Sequence, residues 1–441
     1  MEAFVSLMRA VRESSRKNEI SGRILIGLSG GADSVALLCA LSVLQSERFL
    51  QCAAIYVNHG LRPEALEEEK FCQRLCAKKG IPLQIMKVQV DRHGSLEAAA
   101  RDARYSAFAK AMQTQQADVL ALAHHMDDQA ETVLMHLMYG AGADGLGGMP
   151  EYRFPIWRPL LGLRRQELHA ALREIGQCWC EDASNADEAF RRNYIRRRVL
   201  PVMEEGYPQT VRALTRTADI VREENDLLRQ MAAEWLGRHQ PIIPWLYLPV
   251  GLLLRQHTAM QRRLLRMFVA EHCAIELDFS AVEQLREILH SNGEQHRNLP
   301  GGWHAAVSDD RLHFLPPQDQ GAFQWDQMLL DRKPFSGFLG DGRFSQAMPK
   351  ELADQTVLRA KRPGDRIQPF GMQGHMKIKD YFSARQIAPA FRSQWPLLCL
   401  KSDVLWVPGV GASERVRVHD AKTEDAVLLS FLAKLPVSTK E

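Results

Sequence analysis

The sequence predicts an α/β protein: a parallel-sheet domain first, then a mainly helical middle domain, then a small mixed α+β C-terminal domain. Three observations carry that expectation. Over the first 200 residues, short apolar runs alternate with helix-length runs. From about Tyr207 to Glu271 the pattern is helical and rich in arginine, broken only by a proline-containing stretch at 241–249. Toward the C-terminus, brief alternating runs such as 356–359 and 404–407 read as short strands. At 441 residues the chain is too long for one ordinary core, so two or three domains are expected. The expected boundaries are 1–205, 206–320, a connection at 321–350 that follows a Pro-Pro turn at 316–321, and 351–441.

Candidate strands cover 24–28, 52–57, 83–88 and 118–123, and candidate helices cover 33–44, 64–79 and 95–115. Strands separated by helices of this length form parallel sheets covered on both faces, with ligands at the carboxyl ends of the strands. Three polar clusters fall at those ends. The first is Ser29-Gly30-Gly31-Ala32-Asp33-Ser34, a small-residue turn between a strand and a helix. Glycine lets backbone amides converge on an anion, the two serines add hydroxyl donors, and Asp33 suits a metal ion or its bound water. The second is Asn58-His59-Gly60-Leu61-Arg62, and the third is His124-His125-Met126-Asp127-Asp128. One site built from three loops is the simplest interpretation. Farther on, residues 280–290 read as a helix and 303–314 as a strand pair.

Composition narrows the function classes. The 46% hydrophobic and 25% charged fractions are those of a globular protein. No apolar run approaches the roughly 20 residues needed to span a bilayer, and residues 1–18 carry charges throughout, so a cytoplasmic location without a membrane partner is expected. The eight cysteines include no C-x-x-C pair and no zinc spacing, so buried, reduced thiols are expected. Net charge is only +3, yet residues 191–270 hold fourteen arginines against seven acids and no lysine. Guanidinium forks suit phosphate oxygens, although a solvated helix face paired with Glu204, Glu205, Glu223 and Glu224 is the other reading.

Asp127, Asp128 and Glu131 place three carboxylates at a helix start, with Asp127 and Glu131 four apart and on one face. They suit a magnesium ion facing a triphosphate, the orientation of an amine nucleophile, or stabilisation of the helix dipole. Glu97 and Arg101 form an i,i+4 pair that, in isolation, is a surface salt bridge.

SGGADS is neither a Walker A loop nor a dinucleotide fingerprint; it resembles the pyrophosphate-binding PP-loop of the ATP pyrophosphatases. SGGADS, NHGLR, SLEAAARDARY, AHHMDDQAET, GAGADGLGGM, RPLL and EDASNADEAFRRNYIR stand in the order seen in tRNA(Ile)-lysidine synthetases. RPGDRIQPFGMQGHMKIKDYF and VPGVGASERVR are similar to that family's last domain, with Met376 where the family usually carries the first of two adjacent lysines. The resemblance implies a PP-loop fold of the adenine-nucleotide α-hydrolase type. It also implies ATP-dependent attachment of the lysine ε-amino group to C2 of the wobble cytidine in the CAU anticodon of tRNA(Ile). It further implies ATP and Mg2+ as cofactors, L-lysine and that tRNA as partners, and leaves room for a homodimer.

Carried onto this chain, the resemblance places Ser29, Gly30, Gly31, Ala32, Asp33, Ser34, His59 and His125 at ATP. It places Asp33, Asp127 and Asp128 at Mg2+, and these three with Arg192 in catalysis. Glu97, Arg101, Arg192, Arg196, Lys377 and Lys379 are assigned to lysine or tRNA. Three rival readings differ in what they require. A PP-loop tRNA thiolase needs reactive cysteine pairs, and a small-molecule synthetase has no use for the arginine-rich middle. A non-catalytic RNA-binding protein would tolerate loss of the carboxylates.

Overall fold

The computed structural model describes residues 2–47, 50–60, 65–88, 96–181, 191–239, 247–290, 295–308, 310–315, 328–334, 345–385, 387, 392, 395–418 and 426–433. The chain separates into two compact units, Met1–Leu227 and Leu228–Glu441, and the division falls inside the long helix Thr210–His239.

The first unit is built on β1 (Arg23–Gly27), β2 (Gln51–Asn58), β3 (Leu83–Lys87), β4 (Val119–Ala121), β5 (Tyr152–Arg153) and β6 (Ile156–Trp157). Their spatial order is β3-β2-β1-β4-β6-β5; all neighbours run parallel except the antiparallel β5–β6 hairpin. All four candidate strands are present within one or two residues of their expected ends. The helices are α1 (Glu2–Lys17), α2 (Ala32–Glu47), α3 (Ala65–Lys79), α4 (Leu96–Gln115), α5 (Met126–Met138), α6 (Ala143–Leu146) and α7 (Arg165–Glu174). Next come α8 (Arg191–Tyr194), a π-helical stretch Ile195–Val199, and α9 (Leu200–Gly206).

Strand geometry sends alternate side chains of β1 to opposite faces. Ile24 and Ile26 enter one core with Leu37 and Leu38 of α2, Leu7 and Val11 of α1, and Leu168 and Leu172 of α7. Leu25 enters the other, against Ala107, Phe108 and Ala111 of α4. Ile24, Leu25 and Ile26 are fully buried, each contributing about 2 kcal/mol from apolar burial. Ten of the sixteen residues of α2 are buried, because α2 lies between the sheet and an outer pair of helices; an ordinary amphipathic stripe would bury fewer. α1 is unanticipated: its dispersed charges conceal an inward stripe of Leu7, Met8 and Val11. It is fastened to the sheet where the Trp157 indole Nε1 donates to Ser14 Oγ at 2.9 Å.

In the second unit, helices Thr258–Cys273 and Phe279–Leu289 pack through Leu264, Phe268, Leu285 and Ile288 against Leu248, Leu312 and Phe314. The middle region, expected to be mainly helical, also carries a four-stranded antiparallel sheet: Tyr247–Pro249, Arg311–Leu315, His304–Ser308 and Gln295–Asn298. The expected connection at 321–350 contains strands Met328–Pro334 and Ser345–Pro349, which flank Ala426–Ala433 in a three-stranded sheet. A further mixed sheet, including Leu397–Leu400 and Asp403–Val407, buries Trp406 completely. Among the described residues, no helix is long and apolar enough to cross a membrane.

Candidate active site

The chain leaves β1 for β2 and β3 on one side, then returns to place β4 on the other side of β1. That reversal opens a crevice beyond the carboxyl ends of β1 and β4, the position where open α/β sheets bind ligands. The SGGADS loop forms one lip and residues 124–128 the other.

The loop holds its own shape. Ser34 Oγ donates to the Gly31 carbonyl at 3.0 Å and accepts from the Ser29 amide at 3.1 Å, and the two serine hydroxyls lie 3.2 Å apart. Gly30 has φ +85°, a left-handed conformation costly for any residue with a Cβ, and its carbonyl accepts from the Cys180 amide at 2.9 Å. Ala32 and Asp33 open α2, so their amides are among the first-turn donors that helix geometry leaves unpaired, an arrangement suited to an anion.

Asp33 reaches across the crevice, with Oδ2 3.5 Å from His125 Nε2, while Oδ1 is buried without a hydrogen-bond partner. His125 is 1% exposed and caps α5. Its Nδ1 accepts from the Asp128 amide at 3.3 Å and its amide donates to Asp128 Oδ2 at 3.0 Å, the reciprocal arrangement of a capping box. With Nδ1 accepting, the neutral ring carries its proton on Nε2, aimed at Asp33. Burial opposes charge on this imidazole, but Asp128, Asp33 and Asp127 together outweigh it and raise the pKa. His124 beside it is shifted the other way, to about 4: burial dominates, Asp128 pulls upward, and Arg158, Arg192 and His125 push further down.

The three carboxylates of α5 have separate partners. Asp127 Oδ1 accepts from Arg164 Nε at 3.0 Å and Oδ2 from the Arg165 amide at 2.8 Å, which ties α5 to the start of α7. Glu131, fully buried, shares its face with Asp128. It accepts from Arg192 Nε at 2.8 Å and from the Arg196 fork at 2.6 and 3.0 Å. Arg196 also donates to Asp128 Oδ1 at 3.1 Å. Burial favours the neutral form of Asp128, but His125 and Arg192 prevail and lower its pKa. Arg192 and Arg196, expected at RNA phosphate or at the negative charge that develops in the reaction, face these two carboxylates, not Glu204 or Glu205; Glu204 pairs with Arg164. The π-helical stretch begins at Ile195, between the two arginines, a distortion frequent at functional sites.

The remaining expected residues are more dispersed. His59 is half-buried in the turn after β2. Arg101 lies on α4 with its guanidinium 5.5 Å from the Tyr105 ring centre. The side chain of Glu97, like Arg62 and most of EDASNADEAF, lies outside the described residues. Lys377 and Lys379 are exposed in the second unit, on strand Met376–Lys377 and helix Ile378–Ala384. Sequence reasoning did not single out Arg164, whose only signal is its position just after RPLL, and it left Glu131 without an assigned role.

Among the described residues, no three His, Cys, Asp or Glu side chains form a metal cage. The uncommitted Asp33 oxygen nonetheless suits Mg2+, which takes one or two carboxylates and completes its shell with phosphates and water.

Comparison with known proteins agrees with this architecture at three places. A PP-loop domain model matches residues 6–203, the TilS substrate binding domain matches 248–313, and the TilS substrate C-terminal domain matches 356–428. The tRNA(Ile)-lysidine synthase of Pseudomonas syringae pv. tomato is 33% identical over 421 residues, covering 89% of this chain and 90% of that protein. Its namesake from Symbiobacterium thermophilum is 33% identical over 455 residues, covering 93% and 94%. The one from Xanthomonas campestris is 34% identical over 399 residues, covering 85% and 87%. With a PP-loop at the switch point and relatives aligned along nearly their whole length, the chain belongs to the tRNA(Ile)-lysidine synthase family.

Proposed function

We propose that this protein joins the ε-amino group of free L-lysine to C2 of the wobble cytidine in the CAU anticodon of tRNA(Ile), using ATP. The codon read then changes from AUG to AUA. The observation that carries this reading is the convergence of the SGGADS loop and the His125–Asp128 segment on one crevice, with Asp33 3.5 Å from His125. Family membership supports it, and the absence of a C-x-x-C pair weighs against sulfur delivery.

The chemistry asks two things of the crevice. First, the cytidine C2 oxygen attacks the α-phosphorus of ATP and pyrophosphate departs; the loop amides and the Ser29 and Ser34 hydroxyls receive that charge. Second, the lysine amine, after losing a proton, attacks C2, and AMP leaves with the oxygen. Asp33 and His125, 3.5 Å apart in the crevice, are the acid–base groups that serve this proton transfer. Asp127 and Asp128 act by position: one fixes α7, the other orients His125 and Arg196. Arg192 and Arg196 hold Glu131 and Asp128 and, partly exposed, line the approach of the RNA. When bound through Asp33, Mg2+ would neutralise phosphate charge as it develops. The target base must leave the anticodon stack to enter, and exposed Lys377 and Lys379 are suited to tRNA phosphate contacts.

The test is incorporation of labelled lysine into CAU-anticodon tRNA(Ile) with ATP and magnesium, followed by mild alkali, which hydrolyses esters but spares a base-linked lysine. Alkali-stable, ATP-dependent label is the expected result, abolished in Asp33→Ala with the fold retained. Absence of label with folded protein and competent tRNA overturns the proposal.

A further inference from the structure

All eight cysteines are free thiols, and six of them lie buried. Two from distant parts of the first unit meet at the PP-loop. Cys72 is fully buried on α3, and Cys180 is half-buried in the segment that follows α7. The position a Cβ on Gly30 would take lies 3.4 Å from Cys72 Sγ and 3.5 Å from Cys180 Sγ, so both sulfurs border the same side of that glycine. The Cys180 amide also donates to the Gly30 carbonyl at 2.9 Å. Cys72 is fixed within a helix, whereas residues 177–181 belong to neither helix nor strand, so the Cys180 side is the one that can yield.

Two neighbouring thiols, one of them open to solvent, meet the requirements of thiol–disulfide exchange. Cys180 loses its proton to water and attacks a small disulfide such as glutathione disulfide, releasing one glutathione. Cys72, deprotonated in turn, displaces the second glutathione from Cys180 and closes the Cys72–Cys180 bond. The protein pair gives up two electrons and two protons, and the small disulfide is reduced to two thiols. Burial pushes both protein thiols up, and Glu68 adds to it, so exchange is slow at neutral pH and quickens as pH rises. A nucleophile tuned for sulfur delivery would be shifted the other way. Bonded sulfurs stand about 2 Å apart, far closer than unbonded ones pack, so closing the bond draws Cys180 toward α3. Because its amide holds the Gly30 carbonyl, that movement passes directly to the loop.

We propose that Cys72 and Cys180 form a reversible disulfide that switches off the nucleotide loop, with a small disulfide as the oxidant. The consequence for activity rests on the lysine-ligation reading; the cross-link and its effect on ATP binding do not. In the test, the full-length protein is incubated at pH 8 with excess glutathione disulfide. Free thiols are then alkylated and the non-reduced peptides mapped by mass. The expected product is a Cys72–Cys180 linked peptide pair. With it, the Kd for ATP rises roughly 5- to 10-fold, the worth of about one loop hydrogen bond. Lysine ligation falls in step, and dithiothreitol restores both. In C180S and C72S the link is absent, and C180S binds ATP equally with and without the treatment. Should C72S fail to fold, C180S decides. A Cys180 that stops at the glutathione adduct, a link through Cys178 in its place, or a link that leaves the Kd for ATP unchanged overturns the inference. Reduced protein that ligates no lysine, yet shows the link and the shift in Kd, defeats the ligation reading instead.

Discussion

The first unit contains two groups of arginines built on opposite principles. Arg164, Arg192 and Arg196 are locked onto Asp127, Asp128 and Glu131, so their charge is already compensated and organises α5, α7 and α8 into one frame. Arg158, buried beside Tyr105 with Arg101 over the same ring, forms no ion pair among the described residues. Paired charge fixes geometry; Arg158, by contrast, is held by hydrogen bonds to neutral groups. The same residue type is therefore held by carboxylates in one place and by neutral oxygens in the other, and only its partners distinguish them.

The largest effect should come from breaking the paired group. Glu131→Gln leaves two guanidiniums facing a neutral amide in a buried position and is expected to cost about 3–5 kcal/mol of stability. Urea denaturation at pH 7 measures it; a loss below 1 kcal/mol would mean that the clamp is not structural.

His124 sits within the field of both groups, and its pH response should sharpen the contrast. With a folded pKa near 4 and an unfolded value near 6.5, it is neutral in both states above pH 6.5 and costs nothing there. As pH falls below 6.5, the unfolded chain takes up a proton that the folded chain refuses, so stability drops. The loss is about 2 kcal/mol by pH 5 and approaches 3 near pH 4. His124→Gln should remove this component, seen as a smaller shift of the urea midpoint between pH 7 and pH 5. Equal shifts in both proteins would place the titration elsewhere.

Gly30→Ala provides a control in which no charge changes. Its Cβ would meet Cys72 and Cys180 sulfurs at ordinary contact distances of 3.4 and 3.5 Å, so the penalty arises from φ +85° alone, about 1–2 kcal/mol. Thermal unfolding should show that modest loss, together with weakened ATP binding. The smallest stability effect belongs to Arg158→Gln, expected to be about 1 kcal/mol, because it removes a hydrogen bond to the Pro150 carbonyl but no ion pair among the described residues. A loss comparable to that of Glu131→Gln would return Arg158 to the scaffold class and erase the distinction.

Much of this was legible in the chain. The apolar run of β1, the small-residue turn after it and the helix beyond gave the parallel sheet and its phosphate loop. The order of motifs pointed to the family. The division of labour among the α5 carboxylates was not legible. Spacing suggested that Asp127 and Glu131 would work together, yet Arg164 claims Asp127, while Asp128 and Glu131 share Arg192 and Arg196. α1 escaped notice because its inward stripe is interrupted by charges; of the four-stranded sheet in the second unit the pair within 304–315 was legible, whereas Gln295–Asn298 was not, being wholly polar.

The sequence by itself determined which segments become strands and helices, and which polar clusters stand at the carboxyl ends of the strands. Both follow from local periodicity and from the backbone freedom of glycine. The tertiary structure alone decided which charges meet. Arg192 and Glu131 lie sixty-one residues apart and Arg164 and Asp127 thirty-seven, and no local pattern encodes such a pairing. Whether a guanidinium clamps two elements depends on whether folding carries a carboxylate to it, because in a low-dielectric interior the nearest countercharge outweighs everything the residue's own neighbours in sequence can say.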